Sequence, residues 1–211
     1  MAALPDMVVL HYTGMECAQA ALERLCDPAH EVSAHYLIAG NGHIWQMVAE
    51  DQRAWHAGAG QWGAVQDVNS RSIGIELANC GDHPFSEPQM AALEALLAGI
   101  MRRWAVPPER VIAHSDMAMG RKSDPGAKFD WRRLALGGLS VWPKVSEAGE
   151  AVNFIADARR FGYAADDPDQ TLTAFRLRFR PGFCGALDAI DRAMIHDLAG
   201  RFPVDAGALS A

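Results

Sequence analysis

Cysteine is scarce and scattered in this sequence. Its four copies, Cys17, Cys26, Cys80 and Cys184, form no C-x-x-C pair. That excludes a zinc knuckle and gives no sign of a disulfide framework, and it fits a reducing compartment. No run approaches the roughly 18 apolar residues of a membrane-spanning helix, and the opening Met1-Ala-Ala-Leu-Pro-Asp is too short and uncharged for a secretory leader. The expectation is a soluble, cytoplasmic chain with no transmembrane segment; a periplasmic or wall-associated place is the alternative if the sequence is trimmed. Positive charge is also in short supply. Nineteen Lys+Arg against 26 Asp+Glu leave a formal net charge of −7, which argues against a nucleic-acid partner or a membrane-adsorbing face and favours a bound cation.

What is present is ordinary globular material: 50% of residues are hydrophobic and 21% charged, enough for a real core. At about 150 residues per domain, 211 residues make one full domain and a small appendage. Met7-Val8-Val9-Leu10 reads as a buried strand that delivers His11 at its end. Helical spacing of Ala18, Ala21, Leu22 and Leu25 predicts a helix near 16–26. Two apolar runs, 35–39 and 43–48, flank Gly40-Asn41-Gly42 and predict a hairpin. In Ser72-Ile-Gly-Ile-Glu-Leu77 the residues alternate, with Ser72, Gly74 and Glu76 on one face. Ser86 and Gln89 resemble a capping box opening a helix whose apolar face is Met90, Leu93, Leu97, Ile100, Met101 and Trp104. Residues 110–113 form a last strand ending at His114, and a short helix is expected around 131–134. The fold class is therefore α/β (α+β), a mixed central sheet flanked by helices. After Gly137-Gly-Leu-Ser140 and Pro143, apolar residues fall only on helical periods: Phe154, Ala158, Phe161; Leu172, Phe175, Phe179; Leu187, Ile190, Met194, Leu198. Three short helices follow from this, a unit of about 55 residues that is marginal alone and should lean on the first domain.

Gly58-Ala-Gly-Gln-Trp-Gly63 matches the dinucleotide-binding G-x-G-x-x-G pattern, but no strand precedes it and no helix follows, so a flexible loop rimmed by Trp62 is the better reading. Trp55-His-Ala-Gly58 lines a cleft or is a plain surface loop. The stronger constellation is His11, His114 and Asp124: two histidines at strand ends, and a carboxylate in a loop able to fold back over them. Two imidazoles and a carboxylate are a common ligand set for one catalytic Zn2+, leaving a fourth position for water. Glu76 is a carboxylate in a strand of Ile and Leu, with Gly74 beside it leaving room for a substrate; it needs a cationic partner, a hydrogen-bond network or an exposed face. Lys122, two residues before Asp124, can meet a developing oxyanion if the histidines converge, and is otherwise a solvated loop lysine.

These residues lie within longer motifs: His11-Tyr-Thr, Val32-Ser-Ala-His-Tyr-Leu-Ile38, Ala54-Trp-His-Ala-Gly58, Asn69-Ser-Arg-Ser-Ile-Gly-Ile-Glu76, and Ala113-His-Ser-Asp with Gly120-Arg-Lys-Ser-Asp-Pro-Gly126. In this order, over residues 7 to 143, the sequence resembles the type-2 N-acetylmuramoyl-L-alanine amidases, zinc enzymes that share a fold with peptidoglycan recognition proteins. The resemblance implies His11, His114 and Asp124 as zinc ligands, Glu76 as catalytic carboxylate and Lys122 as the transition-state lysine. His35, Trp55, His56, Asn69 and Arg71, the polar and aromatic members of the same motifs, are the candidates for substrate contact. Ala34 stands where phage-type members carry tyrosine, which favours the bacterial subgroup that uses glutamate. Phe161-Gly-Tyr163 and Leu172 to Pro181 are similar to a three-helix peptidoglycan-binding domain.

The implied organisation is a zinc amidase domain over 1–143, a peptidoglycan-binding-like domain over 144–202 and a tail over 203–211. With every candidate residue before Pro143, truncation there should leave a folded amidase. The implied reaction is hydrolysis of the amide joining the lactyl group of N-acetylmuramic acid, or its 1,6-anhydro form, to the L-alanine of the stem peptide. Its partners would be peptidoglycan fragments or muropeptides. A non-catalytic peptidoglycan-recognition module is the alternative, and a purely structural zinc is a third, disfavoured because only three protein ligands are apparent.

Overall fold

A computed structural model describes residues 4–144 and 153–204; most of the expected tail, 205–211, lies outside the described residues. Five strands make one sheet: β1 (Met7–Tyr12), β2 (Tyr36–Ile38), β3 (Ile44–Gln46), β4 (Ser72–Leu77) and β5 (Val111–Ala113). Their order is β3-β2-β4-β1-β5, and the helices expected near 16–26 and 131–134 are α1 (Ala18–Cys26) and α4 (Trp131–Leu136). All neighbours run parallel except β2 and β3, the expected hairpin, whose turn closes through the Gly42 N–H to Ala39 O at 2.9 Å.

Strand alternation divides the core. Val8 and Leu10 of β1, with Ile73, Ile75 and Leu77 of β4, face α2 (Glu87–Trp104) through Met90, Leu93, Leu97 and Ile100. Ser86 and Gln89 form no capping box. Ser86 Oγ instead bonds Gly40 O, and Gln89 Nε2 donates to Ile38 O at 2.8 Å and Ala78 O at 3.2 Å, so both side chains fasten the helix to the strand ends.

The opposite face carries Met7, Val9 and Ile112, and it is covered by α5 (Phe154–Phe161), α6 (Pro168–Phe179) and α7 (Ala189–Arg201). Phe154, Phe161, Phe175, Phe179, Ile195 and Leu198 join these strand residues in one cluster. Position 143 thus marks a change of layer within a continuous core. Ile190 departs from the expected apolar stripe, being 48% exposed in the first turn of α7. Trp62 departs the other way. It is 1% exposed, an inter-layer plug between the sheet and the C-terminal helices rather than a loop rim. Gly60 lets the loop bearing Trp62 lie close against the Met117 backbone, since a Cβ there would lie 2.3 Å from Met117 O.

Candidate metal centre and active-site cleft

Because His11 shares the face of Met7 and Val9, it emerges where that face leaves the apolar core. His114 follows β5 directly as the first residue of α3 (His114–Met117), and the returning loop is fixed by the Ser115 N–H donating to Asp124 O at 3.0 Å. The three side chains converge: His11 Nδ1 lies 2.9 Å from His114 Nδ1, and Asp124 Oδ2 lies 3.0 Å and 2.9 Å from those two nitrogens. All three are buried.

The far nitrogens fix the tautomers. His114 Nε2 is 2.8 Å from Ala57 O, a group that can only accept, so Nε2 carries the proton and Nδ1 a lone pair. Ser72 Oγ donates to Val68 O at 2.6 Å, so it accepts from His56 Nε2 at 3.2 Å. His56 Nδ1 then accepts from His11 Nε2 at 3.0 Å, which again leaves the His11 Nδ1 lone pair facing inward. Burial, then the neighbouring His114, lowers the His11 pKa to about 4, so the ring is neutral near pH 7. Two imidazole lone pairs and a carboxylate oxygen pointed at one another are an electrostatically unfavourable arrangement unless a cation lies between them. The donor set therefore fits a metal ion, with outer-sphere hydrogen bonds that orient each ring.

The centre opens into a cleft of about 300 Å³ lined in part by Thr13, Arg24, Trp55, Glu76 and Lys122. Glu76 Oε2 is buried with no hydrogen-bond partner. Burial first, and Asp124 second, push its pKa well above the ordinary carboxylate value, with Lys122 opposing. Lys122 is exposed at the cleft mouth, on a turn closed by its N–H donating to Ala118 O at 3.0 Å.

The residues expected to touch substrate separate into two groups. Trp55, 57% exposed with the Arg53 guanidinium 4.4 Å from its ring, lines the cleft. His35, Asn69 and Arg71 do not. His35 is fully buried, and both its nitrogens are occupied, by the Gly74 N–H at 3.0 Å and Gln52 O at 3.0 Å. Asn69 Oδ1 accepts from the backbone of His56 at 3.1 Å and Ala57 at 2.9 Å. Arg71 is ion-paired to Asp6. His35 and Asn69 therefore hold the loop under the site, whereas Arg71 ties the start of β4 to the residue before β1. His56 touches the cleft but uses both nitrogens in the relay. Its ring also fills the space assigned to substrate beside Gly74, where a Cβ would meet His56 Cγ at 2.3 Å.

Sequence reasoning missed Ser72 and Arg121. Arg121 Nη2 donates to Ala57 O at 2.8 Å, sharing the carbonyl that orients His114. Neither stood out, because a strand serine and a loop arginine have no periodic signal.

A family model described as N-acetylmuramoyl-L-alanine amidase (Amidase_2) matches residues 2–127. The chain is 34% identical over 235 residues to N-acetylmuramoyl-L-alanine amidase AmiD of Escherichia coli K12, spanning 94% of this chain and 84% of that protein. It is 41% identical over 103 residues to the 1,6-anhydro-N-acetylmuramyl-L-alanine amidase AmpD of Haemophilus influenzae, covering 48% of this chain and 56% of that one. The solved complex of AmiD with anhydro-N-acetylmuramic acid-L-Ala-D-gamma-Glu-L-Lys superposes with a TM-score of 0.84, covering 96% of this chain and 92% of AmiD at 34% identity. The AmpDh3 structure of Pseudomonas aeruginosa in complex with anhydromuramic pentapeptide gives a TM-score of 0.85 at 30% identity, with 95% and 93% covered.

Proposed function

Because this chain belongs to the N-acetylmuramoyl-L-alanine amidase family, we propose that it hydrolyses the amide between the lactyl group of N-acetylmuramic acid, including the 1,6-anhydro form, and L-alanine, with zinc held by His11, His114 and Asp124. The observation that carries this reading is the pairing of three convergent metal ligands with an unpartnered carboxylate, Glu76, in the same cleft.

Zinc at this site supplies Lewis acidity, polarising a carbonyl and lowering the pKa of water to about 7. The protein supplies the rest. Glu76 Oε2, with no competing donor and a raised proton affinity, takes the proton from the attacking water and passes it to the departing alanine nitrogen. Lys122 brings a positive charge to the mouth of the same cleft, where it stabilises the carbonyl oxygen as that atom becomes negative. His56 and Ala57 O hold the two imidazoles in the tautomers that present Nδ1 inward. Trp55 offers an exposed aromatic face beside the reaction centre, suited to packing against a sugar ring or the stem peptide.

The ligand-bound AmiD and AmpDh3 structures support anhydro-muropeptides as substrates, and hence a place in peptidoglycan recycling. Among the described residues no helix is long and apolar enough to cross a membrane. The direct test incubates the purified protein with an anhydro-N-acetylmuramyl tripeptide and, in parallel, with intact sacculi, and follows released L-alanine-initiated peptide by mass spectrometry with and without a chelator. Release from the soluble substrate that stops with chelator and returns with zinc is expected. No release from either substrate by the zinc-loaded protein would overturn the reading.

A further inference from the structure

Two buried connections join the C-terminal helices to the segment that carries His114. In the first, Arg178 of α6 and Asp116 of α3 both have fully buried side chains, with Nη1 2.6 Å from Oδ2. Asp116 Oδ2 also accepts from the Ala113 N–H at 2.9 Å, and Oδ1 accepts from the Tyr163 hydroxyl at 2.8 Å. Arg178 further donates to Val111 O at 3.0 Å and lies 4.5 Å from the Trp131 ring centre. Ala113 and Asp116 flank His114, so the bond between them sets the direction in which α3 leaves the strand and the ligand points.

The second connection runs through the loop whose Ala57 O orients the His114 ring. Its Gly63 N–H donates to Gly162 O at 2.8 Å. Trp62 packs edge-on against Phe161 and Tyr163 with ring centres 5.5 Å and 5.3 Å apart. Gly162 is required for this approach, since a Cβ there would lie 2.4 Å from Trp62 Cε2. Backbone and imidazole of His114 are thus both braced, through Asp116 and through the 57–63 loop, by residues that follow position 143.

A buried guanidinium–carboxylate pair contributes little stability relative to apolar residues of the same volume, and is better suited to specifying one arrangement. We propose that Arg178, through Asp116 and with Tyr163, is a positioning residue for His114, so that the C-terminal helices form part of the metal centre's support. This rests on the reading of His114 as a metal ligand. The same helices contain a natural control. Arg176 and Asp191 are also a buried pair, but the carbonyls Arg176 bonds are those of Gly185 and Ala186, within the C-terminal layer.

The test uses full-length R178M, R178K, Y163F and the control R176M/D191N. For each, the thermal midpoint of the metal-free protein, the zinc dissociation constant by chelator competition well below that midpoint, and the visible spectrum of the cobalt(II)-substituted protein are measured. Loss of a group bonded directly to a ligand weakens metal binding roughly ten- to a hundredfold, and Arg178 acts one step further out. A loss of up to about tenfold is therefore expected for R178M, with a smaller loss for Y163F, partial recovery in R178K and a shifted cobalt spectrum. R176M/D191N should melt earlier yet bind zinc as the wild type does. Y163F removes one hydroxyl, so it remains informative if R178M does not fold. Wild-type zinc affinity and an unchanged cobalt spectrum in Y163F and R178K, or an equal loss in the control, would overturn the proposal. A wild-type protein that fails to bind zinc would overturn the metal reading along with it.

Discussion

His11 and Glu76 are register partners on adjacent parallel strands, β1 and β4. Partners in a parallel pair project to the same face, so the proposed metal ligand His11 and the unpartnered carboxylate of Glu76 reach one cleft from neighbouring positions. Glu76→Gln keeps the shape of the side chain and removes its basicity. It should retain zinc while lowering kcat by about a hundredfold or more. Lys122→Met should do the same by losing an oxyanion partner. Metal analysis alongside steady-state kinetics checks both, and full turnover by zinc-loaded Glu76→Gln would remove Glu76 as the base.

His11→Ala should abolish zinc binding, because two remaining ligands do not hold the ion tightly. The wild type should bind one zinc per chain, and its thermal midpoint should rise with free zinc, as linkage requires of a ligand that binds only the folded state. Titration calorimetry on the chelator-treated protein measures the stoichiometry.

Gly74→Ala drives a methyl into the His56 ring, at 2.3 Å from Cγ. Overpacking of this kind costs about 1–3 kcal/mol, and here the displaced ring is the acceptor for His11 Nε2. The variant should therefore lose both stability and zinc affinity. Denaturant unfolding with chelator competition checks this, and wild-type behaviour in both would show that the ring moves aside freely.

Glu50 gives a pH dependence remote from the cleft. Burial acts to raise its pKa, but hydrogen bonds from Arg103, Trp104 and Tyr36 outweigh it and hold it at about 2. The folded value lies below the unfolded one near 4.5, so the stabilisation is fully present above about pH 4.5 and is lost as pH falls toward 2. Its size is on the order of 3 kcal/mol at full strength and about 2 once solvent screening of the half-exposed Arg103 is allowed for. Unfolding free energies measured from pH 6 to 2.5 should fall less steeply in Glu50→Gln than in the wild type.

The strands and the long α2 helix were legible from residue patterns because each buries one face, and burial imposes a period of 2 or 3.6 on the chain. His11, Glu76 and His114 could be picked out because each interrupts or ends such a pattern, and Asp124 because its loop follows His114 closely enough to fold back over it. What the residue pattern determined was therefore which side chains have no reason to be where they are unless they do chemistry. The tertiary structure decided which partners they meet. His35 and His56 look alike in sequence, yet one is fully buried and the other lies against His11, a distinction set by which segment lies beside each. Trp62 reads as a loop residue until the C-terminal helices cover it. Arg178 falls three residues after Phe175 on an apolar stripe, an anomaly visible in sequence, but its counter-charge Asp116 is 62 positions away. Local periodicity reports whether a side chain is buried. Only the packing of distant segments decides against what, because that depends on contacts between residues with no short-range relation along the chain.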